Sequence, residues 1–255
     1  MTLQQLYSYT RRAVEQYHMI DEDDKIAIGI SGGKDSLTLL YALSGLRRFY
    51  PKKFDIEAIT VDLGLGIQKL DEIEELCKEL NVSYHVVKTE IGEIIFNARK
   101  ESNPCSLCAT MRKGALNDKA KSLGCNKIAY AHHMDDIIET MMLSLIYEGR
   151  FYCFSPSIFL DRMEMKVIRP MMFVKEYNVI GFMNKYNLPV AKNPCPVDGH
   201  TKREYVKNLV KQIENENPGV KDRMFTAIIN GNIPGWPKPD YEACRRKKSD
   251  KRKSE

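Results

Sequence analysis

No apolar run in this 255-residue sequence approaches the roughly 20 residues needed to cross a bilayer. Its opening, MTLQQLYSYTRRAVEQYHMI, lacks the apolar centre and cleavage site of a signal peptide. These absences predict a cytoplasmic protein with no membrane attachment. In that compartment seven cysteines do not form a disulfide framework, which leaves core packing, metal binding or redox chemistry for them. Internal repeats are absent, and low complexity is confined to the end of the chain. Most of the chain also lacks net charge. The last eleven residues, RRKKSDKRKSE, hold seven Lys/Arg and two Asp/Glu and carry the whole formal excess of +5. Such a tail has nothing apolar to pack and is expected to be disordered. It serves solubility or adds phosphate contacts on RNA.

What remains is ample for a core, with 43% hydrophobic residues. Leu3, Leu6, Tyr9, Ala13 and Tyr17 fall near helical spacing over residues 3–19. KIAIGI (25–30) reads as a buried strand ending in a Gly-rich turn, and residues 36–49 continue as a helix. Strands follow at 55–63, 82–88 and 126–133, with helices at 68–80 and 135–147. Beyond 150 the pattern is less regular: a hairpin (157–169), a helix (175–186), a Cys-containing loop (193–200) and helices at 202–216 and 219–230. Alternating strands and helices predict the α/β class, a parallel twisted sheet with helices on both faces, plus a helical C-terminal part. The expected divisions are an N-terminal helix (1–20), a catalytic domain (21–200), a helical segment (201–237) and a basic tail (238–255).

Ligands of such sheets bind at the C-terminal ends of the strands. There the first strand gives SGGKDS, from Ser31 to Ser36. Gly32 and Gly33 permit tight turning and close approach of backbone to phosphate. The following helix directs its N–H groups and dipole at a bound anion. Lys34 neutralises phosphate charge, Ser31 and Ser36 offer hydroxyls, and Asp35 orients the loop or a metal ion. Asp35 after Lys34 excludes a Walker loop, and the spacing excludes the GxGxxG of dinucleotide folds.

Cys105 and Cys108 form a CxxC at the start of a predicted helix (106–122), a position that favours thiolate. Cys195 shares their Asn-Pro-Cys context. Three thiolates suit a four-iron cluster with one iron free of protein ligand. Zinc is the competing occupant. Cys77 reads as core on a helix face.

The series SGGKDS, PCSLCATMRKG, AHHMDDIIET, a lone PC and NPGVKDRMFTAIIN…IP resembles the tRNA 2-thiocytidine synthetase branch of the PP-loop ATP pyrophosphatases, over most of the chain to about Pro237. The resemblance implies a HUP-type ATPase domain, a [4Fe–4S] cluster on Cys105, Cys108 and Cys195, and a homodimer. It implies thiolation of a cytidine in the tRNA anticodon loop. Arg112 matches a basic residue one turn past the CxxC, and Asp136 matches a catalytic acidic residue near the nucleotide. Asp198 stands where some members have a further cysteine; it reads as an ordinary loop residue or a weak fourth ligand, the former favoured. The zinc-finger cysteines of the related 2-thiouridine enzymes are missing, which argues against that branch.

The chemistry follows from a poor electrophile. Adenylation by ATP turns the base oxygen into AMP, a good leaving group, while Mg²⁺ and Lys34 offset charge on pyrophosphate. Sulfide on the open iron then attacks the carbon; its donor is a protein such as a cysteine desulfurase. Asp136 binds Mg²⁺ or moves a proton, and one of Asp135 and Asp136 caps the helix. Asp62 and Leu63 approach adenosine by position alone. His132 and His133 point to opposite faces, His132 being the candidate nucleotide contact. Lys202, Arg203, Lys207 and Lys211 fit RNA or a solvated helix equally well. Two other functions compete: a PP-loop ligase joining an amine to an activated carbonyl, which needs no cysteines, and a non-catalytic metal-containing RNA-binding protein.

Overall fold

The computed structural model describes residues 1–66, 69–98, 104–191 and 202–243. Cys195, Asp198 and the basic tail from Cys244 onward therefore lie outside the described residues. Among the described residues no helix is long and apolar enough to cross a membrane.

Six strands form one sheet in the order β3-β2-β1-β4-β6-β5. The apolar run at 25–30 supplies β1 (Asp24–Gly29), which pairs in parallel with β2 (Phe54–Asp62) and with β4 (Lys127–Ala129). Ile26 faces Ile56 on one side and Lys127 on the other. β3 (Ser83–Lys88) extends the sheet beyond β2. The expected hairpin is present as β5 (Ser157–Leu160) and β6 (Met165–Ile168). It joins the main sheet, with β6 parallel to β4 and β5 an antiparallel edge.

From β1 the strand order runs outward to β2 and β3 one way and to β4 and β6 the other. The crevice above β1 and β4 is thus the topological switch point, where open α/β sheets take ligands.

One face carries α1 (Leu3–Gln16), α2 (Lys34–Leu46), α3 (Leu70–Glu79), α6 (Met134–Leu143) and α7 (Glu176–Tyr186). The other is covered by α4 (Ile91–Glu93), the π-helical turn Ile94–Ala98 and α5 (Pro104–Ser122), through Ile91, Ile95, Leu116 and Ala120 on Ile59 and Ile128. α8 (Lys202–Glu216) and α9 (Val220–Asn230) pack on α6.

The expected divisions at 20 and 200 do not separate cores. Leu6 and Val14 of α1, Val206 and Val210 of α8, and Phe225 of α9 share one buried cluster with Leu37 and Leu40 of α2. The start of the expected tail is also ordered. Asp240 N–H donates to Gln16 O (2.9 Å), and its carboxylate accepts from the N–H groups of Glu242 and Ala243. The strand expected over 126–133 stops at Ala129, because His133 already caps α6.

Candidate active site

The loop after β1 is anchored before it turns. Ile30 N–H donates to Ile59 O (2.8 Å), and Ile30 O accepts from Thr60 Oγ1 (3.0 Å). Gly32 then takes φ +78°, a region that disfavours side chains. A Cβ there would also lie 3.1 Å from Ala191 Cβ. Ser36 Oγ donates to Gly33 O (2.9 Å) and lies 3.2 Å from both Ser31 N and Ser31 Oγ. The two hydroxyls expected to serve a ligand thus also brace the loop. Gly33 is the N-cap of α2 and supplies no side-chain cap, so the first-turn N–H groups are presented as an anion would meet them.

Lys34 Nζ lies 2.9 Å from Asp35 Oδ2 and 3.3 Å from Glu176 Oε1. Burial pulls its pKa down, but the two carboxylates outweigh burial and hold it above the ordinary value. Glu176, at the start of α7, also receives Lys207 Nζ from α8 (2.7 Å).

Across the switch point, α6 begins with a reciprocal cap. His133 N–H donates to Asp136 Oδ2 (2.9 Å), and Asp136 N–H donates to His133 Nδ1 (3.3 Å). The ring proton of His133 therefore belongs on Nε2, which lies 3.6 Å from Asp35 Oδ1. Asp135, expected as one of two capping candidates, is buried and accepts from Glu176 N–H and Lys221 Nζ (both 2.7 Å). Burial raises its pKa, yet these bonds hold it below the usual carboxylate value. Arg203 Nη1 reaches Asp136 Oδ1 (3.4 Å) and Glu139 Oε2 (3.3 Å), while Nη2 donates to Thr140 Oγ1 (3.0 Å).

Of the paired histidines, His133 lies against the phosphate loop. His132 lies near Tyr130, where its ring stacks on Phe154 (4.2 Å between centroids) and its Nδ1 accepts from Arg169 Nε (3.0 Å). Burial, then the nearby Arg169 and Arg203, hold its pKa well below the ordinary value. Asp62 ends β2; its Oδ1 accepts from Gly64 N–H (2.9 Å) and its carbonyl from Thr89. Leu63 O accepts from Gly92 N–H (2.8 Å). These bonds fix the rim beside β3.

Glu139, Glu176 and Lys221 were not singled out from sequence, and Arg203 and Lys207 were legible only as surface cations. Glu139 is 6% exposed. Burial, with Asp136 adding to it, raises its pKa to about 7; Arg203 opposes this, but its guanidinium is shared with Asp136 and Thr140. The folded chain therefore binds this proton more tightly than the unfolded chain, so stability falls as pH rises from about 4.5 to about 7. Glu139→Gln is expected to gain on the parent protein by on the order of 2–3 kcal/mol between pH 4 and pH 8. Urea unfolding at the two pH values measures this; an unchanged difference would refute the assignment.

The cysteines divide by environment. Cys77, Cys125 and Cys153 are buried, and burial pushes their thiols up to about 12, 11 and 12. Cys105 is exposed and Cys108 half-buried on the first turn of α5. Their i,i+3 spacing puts both on one side, and Arg112 is exposed one turn further on. This donor pair fits a thiophilic metal centre. Among the described residues no group of three or more His, Cys, Asp or Glu side chains is placed to hold a metal. The segment carrying Cys195 is flanked by Ala191, whose N–H donates to Gly32 O (3.0 Å), and by Arg203 of α8, which bonds Asp136 of α6.

The family model for the PP-loop domain matches residues 5–213. The tRNA-cytidine(32) 2-sulfurtransferase of Geobacter metallireducens is 40% identical over 222 residues, covering 86% of this chain and 86% of that protein. The protein of the same name from Syntrophotalea carbinolica is 35% identical over 224 residues, covering 87% and 86%. Among solved structures, the U34-tRNA thiolase NcsA from Methanococcus maripaludis with its [4Fe-4S] cluster superposes with a TM-score of 0.69 at 25% identity, covering 87% of this chain and 77% of that one.

Proposed function

The chain belongs to the PP-loop family, in its tRNA 2-thiocytidine synthetase branch, and we propose that it converts a cytidine in the tRNA anticodon loop to 2-thiocytidine. The nucleotide is cytidine 32, for which its relatives are named. ATP is cleaved to AMP and pyrophosphate.

The observation that carries this reading is the tether between Ala191 and Gly32. It ties the chain leading to Cys195 to the phosphate loop itself. Cys195 follows Ala191 by four steps of the chain, and an extended chain gains at most about 3.5 Å per step. The Cys195 backbone would thus lie within about 14 Å of Ala191, which keeps a centre ligated by Cys105, Cys108 and Cys195 near the phosphate loop. When bound, a [4Fe–4S] cluster supplies an iron without protein ligand at which sulfide is held for the base.

The chain's own groups prepare that transfer. The first turn of α2 and Lys34 hold the ATP phosphates and offset charge on departing pyrophosphate. Asp35 and Asp136 flank His133, at 3.6 and 3.4 Å, and are oxygen donors suited to Mg²⁺. Asp136 remains the proton acceptor at the activated base, with Arg203 fixing its carboxylate. Arg112 meets phosphate beside the thiols. The enzyme works in the cytoplasm as a homodimer, with sulfide from a donor such as a cysteine desulfurase.

Nucleoside mass spectrometry of tRNA from a strain lacking this protein tests the reading. Loss of 2-thiocytidine alone, restored by the intact gene, is expected. An unchanged 2-thiocytidine level would remove the proposal.

A further inference from the structure

Arg169 follows β6 at the ligand-binding rim of the sheet and is 8% exposed. Its Nε donates to His132 and its Nη1 to Ser155 O (2.6 Å). Among the described residues it has no carboxylate partner. A buried cation without a counterion is costly unless an anion comes to meet it.

The surface leading to it has a matching character. The π-helical turn Ser144–Glu148 ends at Gly149, whose φ of +63° reverses the chain and exposes the next three residues. Phe151 is 71% and Tyr152 42% exposed. The Arg150 guanidinium lies 4.7 Å over the Tyr152 ring, and Lys202 Nζ from α8 lies 4.7 Å over Tyr147. Exposed rings interleaved with cations suit single-stranded nucleic acid, because every base has a stackable face and every linkage a negative charge. Glu148, the one acid between 144 and 154, is tied to Arg150 (2.6 Å).

We propose that residues Tyr147–Tyr152, with Lys202 at the edge and Arg169 at the inner end, take unpaired nucleotides of an RNA loop. Tyr147, Phe151 and Tyr152 stack bases. Arg150 and Lys202 meet outer phosphates, and Arg169 meets the phosphodiester of the innermost nucleotide. The surface rests on the reading above that the substrate is an RNA loop, and its test is separable from that reading.

The test uses the full chain with the double variant Phe151→Ala/Tyr152→Ala, both positions being exposed. Binding is measured to an anticodon stem–loop RNA and to a fully paired duplex of equal length. The variant is expected to lose about 10–100-fold in stem–loop affinity, with duplex binding unchanged. Arg169→Gln, checked for an unaltered circular dichroism spectrum, is expected to show the same selective loss. Equal binding of stem–loop by variant and parent overturns the proposal, as does a parent that binds duplex and stem–loop alike. A variant that changes sedimentation but not RNA affinity assigns the surface to a second copy and also overturns it. If stem–loop binding is lost as expected but the parent forms no 2-thiocytidine, the function falls and the surface stands.

Discussion

Cys108→Ser is expected to lower thionucleoside formation by more than about 100-fold and to strip the protein of iron, while the chain stays folded. Loss of even an outer contact at a metal site costs about 10–100-fold, and Cys108 is proposed as a direct ligand. Cys77→Ala provides the contrast. Cys77 is fully buried under α3, with its thiol held protonated by burial, so the variant should lose on the order of 1 kcal/mol of stability and no iron. Iron and acid-labile sulfide per chain, with 2-thiocytidine counted by mass spectrometry, separate the two cases. A Cys108→Ser protein that keeps its iron and its turnover would dismantle the cysteine site. Cys105→Ser should match Cys108→Ser in iron loss at a smaller cost in stability, because Cys105 is exposed whereas Cys108 also packs against the α5-side core.

The parts of this site that sequence reveals are those encoded locally. Strand, glycine turn and helix N-terminus sit within residues 24–46, so SGGKDS declares both its shape and its ligand class. The i,i+3 cysteines are equally local. The alternation of His132 and His133 is local too, but which face holds the nucleotide depends on β4 lying beside β1, a pairing across about a hundred residues. Glu176 was invisible for the same reason: a single acid opening a helix, it acquires a role only when α7 brings it 3.3 Å from Lys34. Arg203 and Lys207 read equally well as RNA contacts or solvated cations, because their partners, Asp136, Glu139 and Glu176, lie on other helices. Leu6 and Val206, outside the expected catalytic domain on either side, end in the same core as Leu37, a long-range packing that local sequence does not announce.

Lys34→Ala is expected to lower pyrophosphate release by about 10²–10³-fold, corresponding to roughly 3–4 kcal/mol of lost stabilisation as charge develops. The sign follows from how the amine is held. Asp35 and Glu176 keep Lys34 protonated throughout the neutral range, so the charge is in place before phosphate arrives and no proton need be gathered. The same contacts compete with phosphate for that charge. Glu176→Gln should therefore tighten ATP binding several-fold, as one competitor is neutralised, while α8 loosens because Lys207 loses its carboxylate. The two variants thus move in opposite directions on KM for ATP, which a general loss of folding would not produce. Pyrophosphate release measured against ATP concentration, with tRNA present, reads both. A Lys34→Ala enzyme within about threefold of the parent would show that the helix N-terminus alone holds the phosphates and that the lysine serves the α7–α8 contact instead.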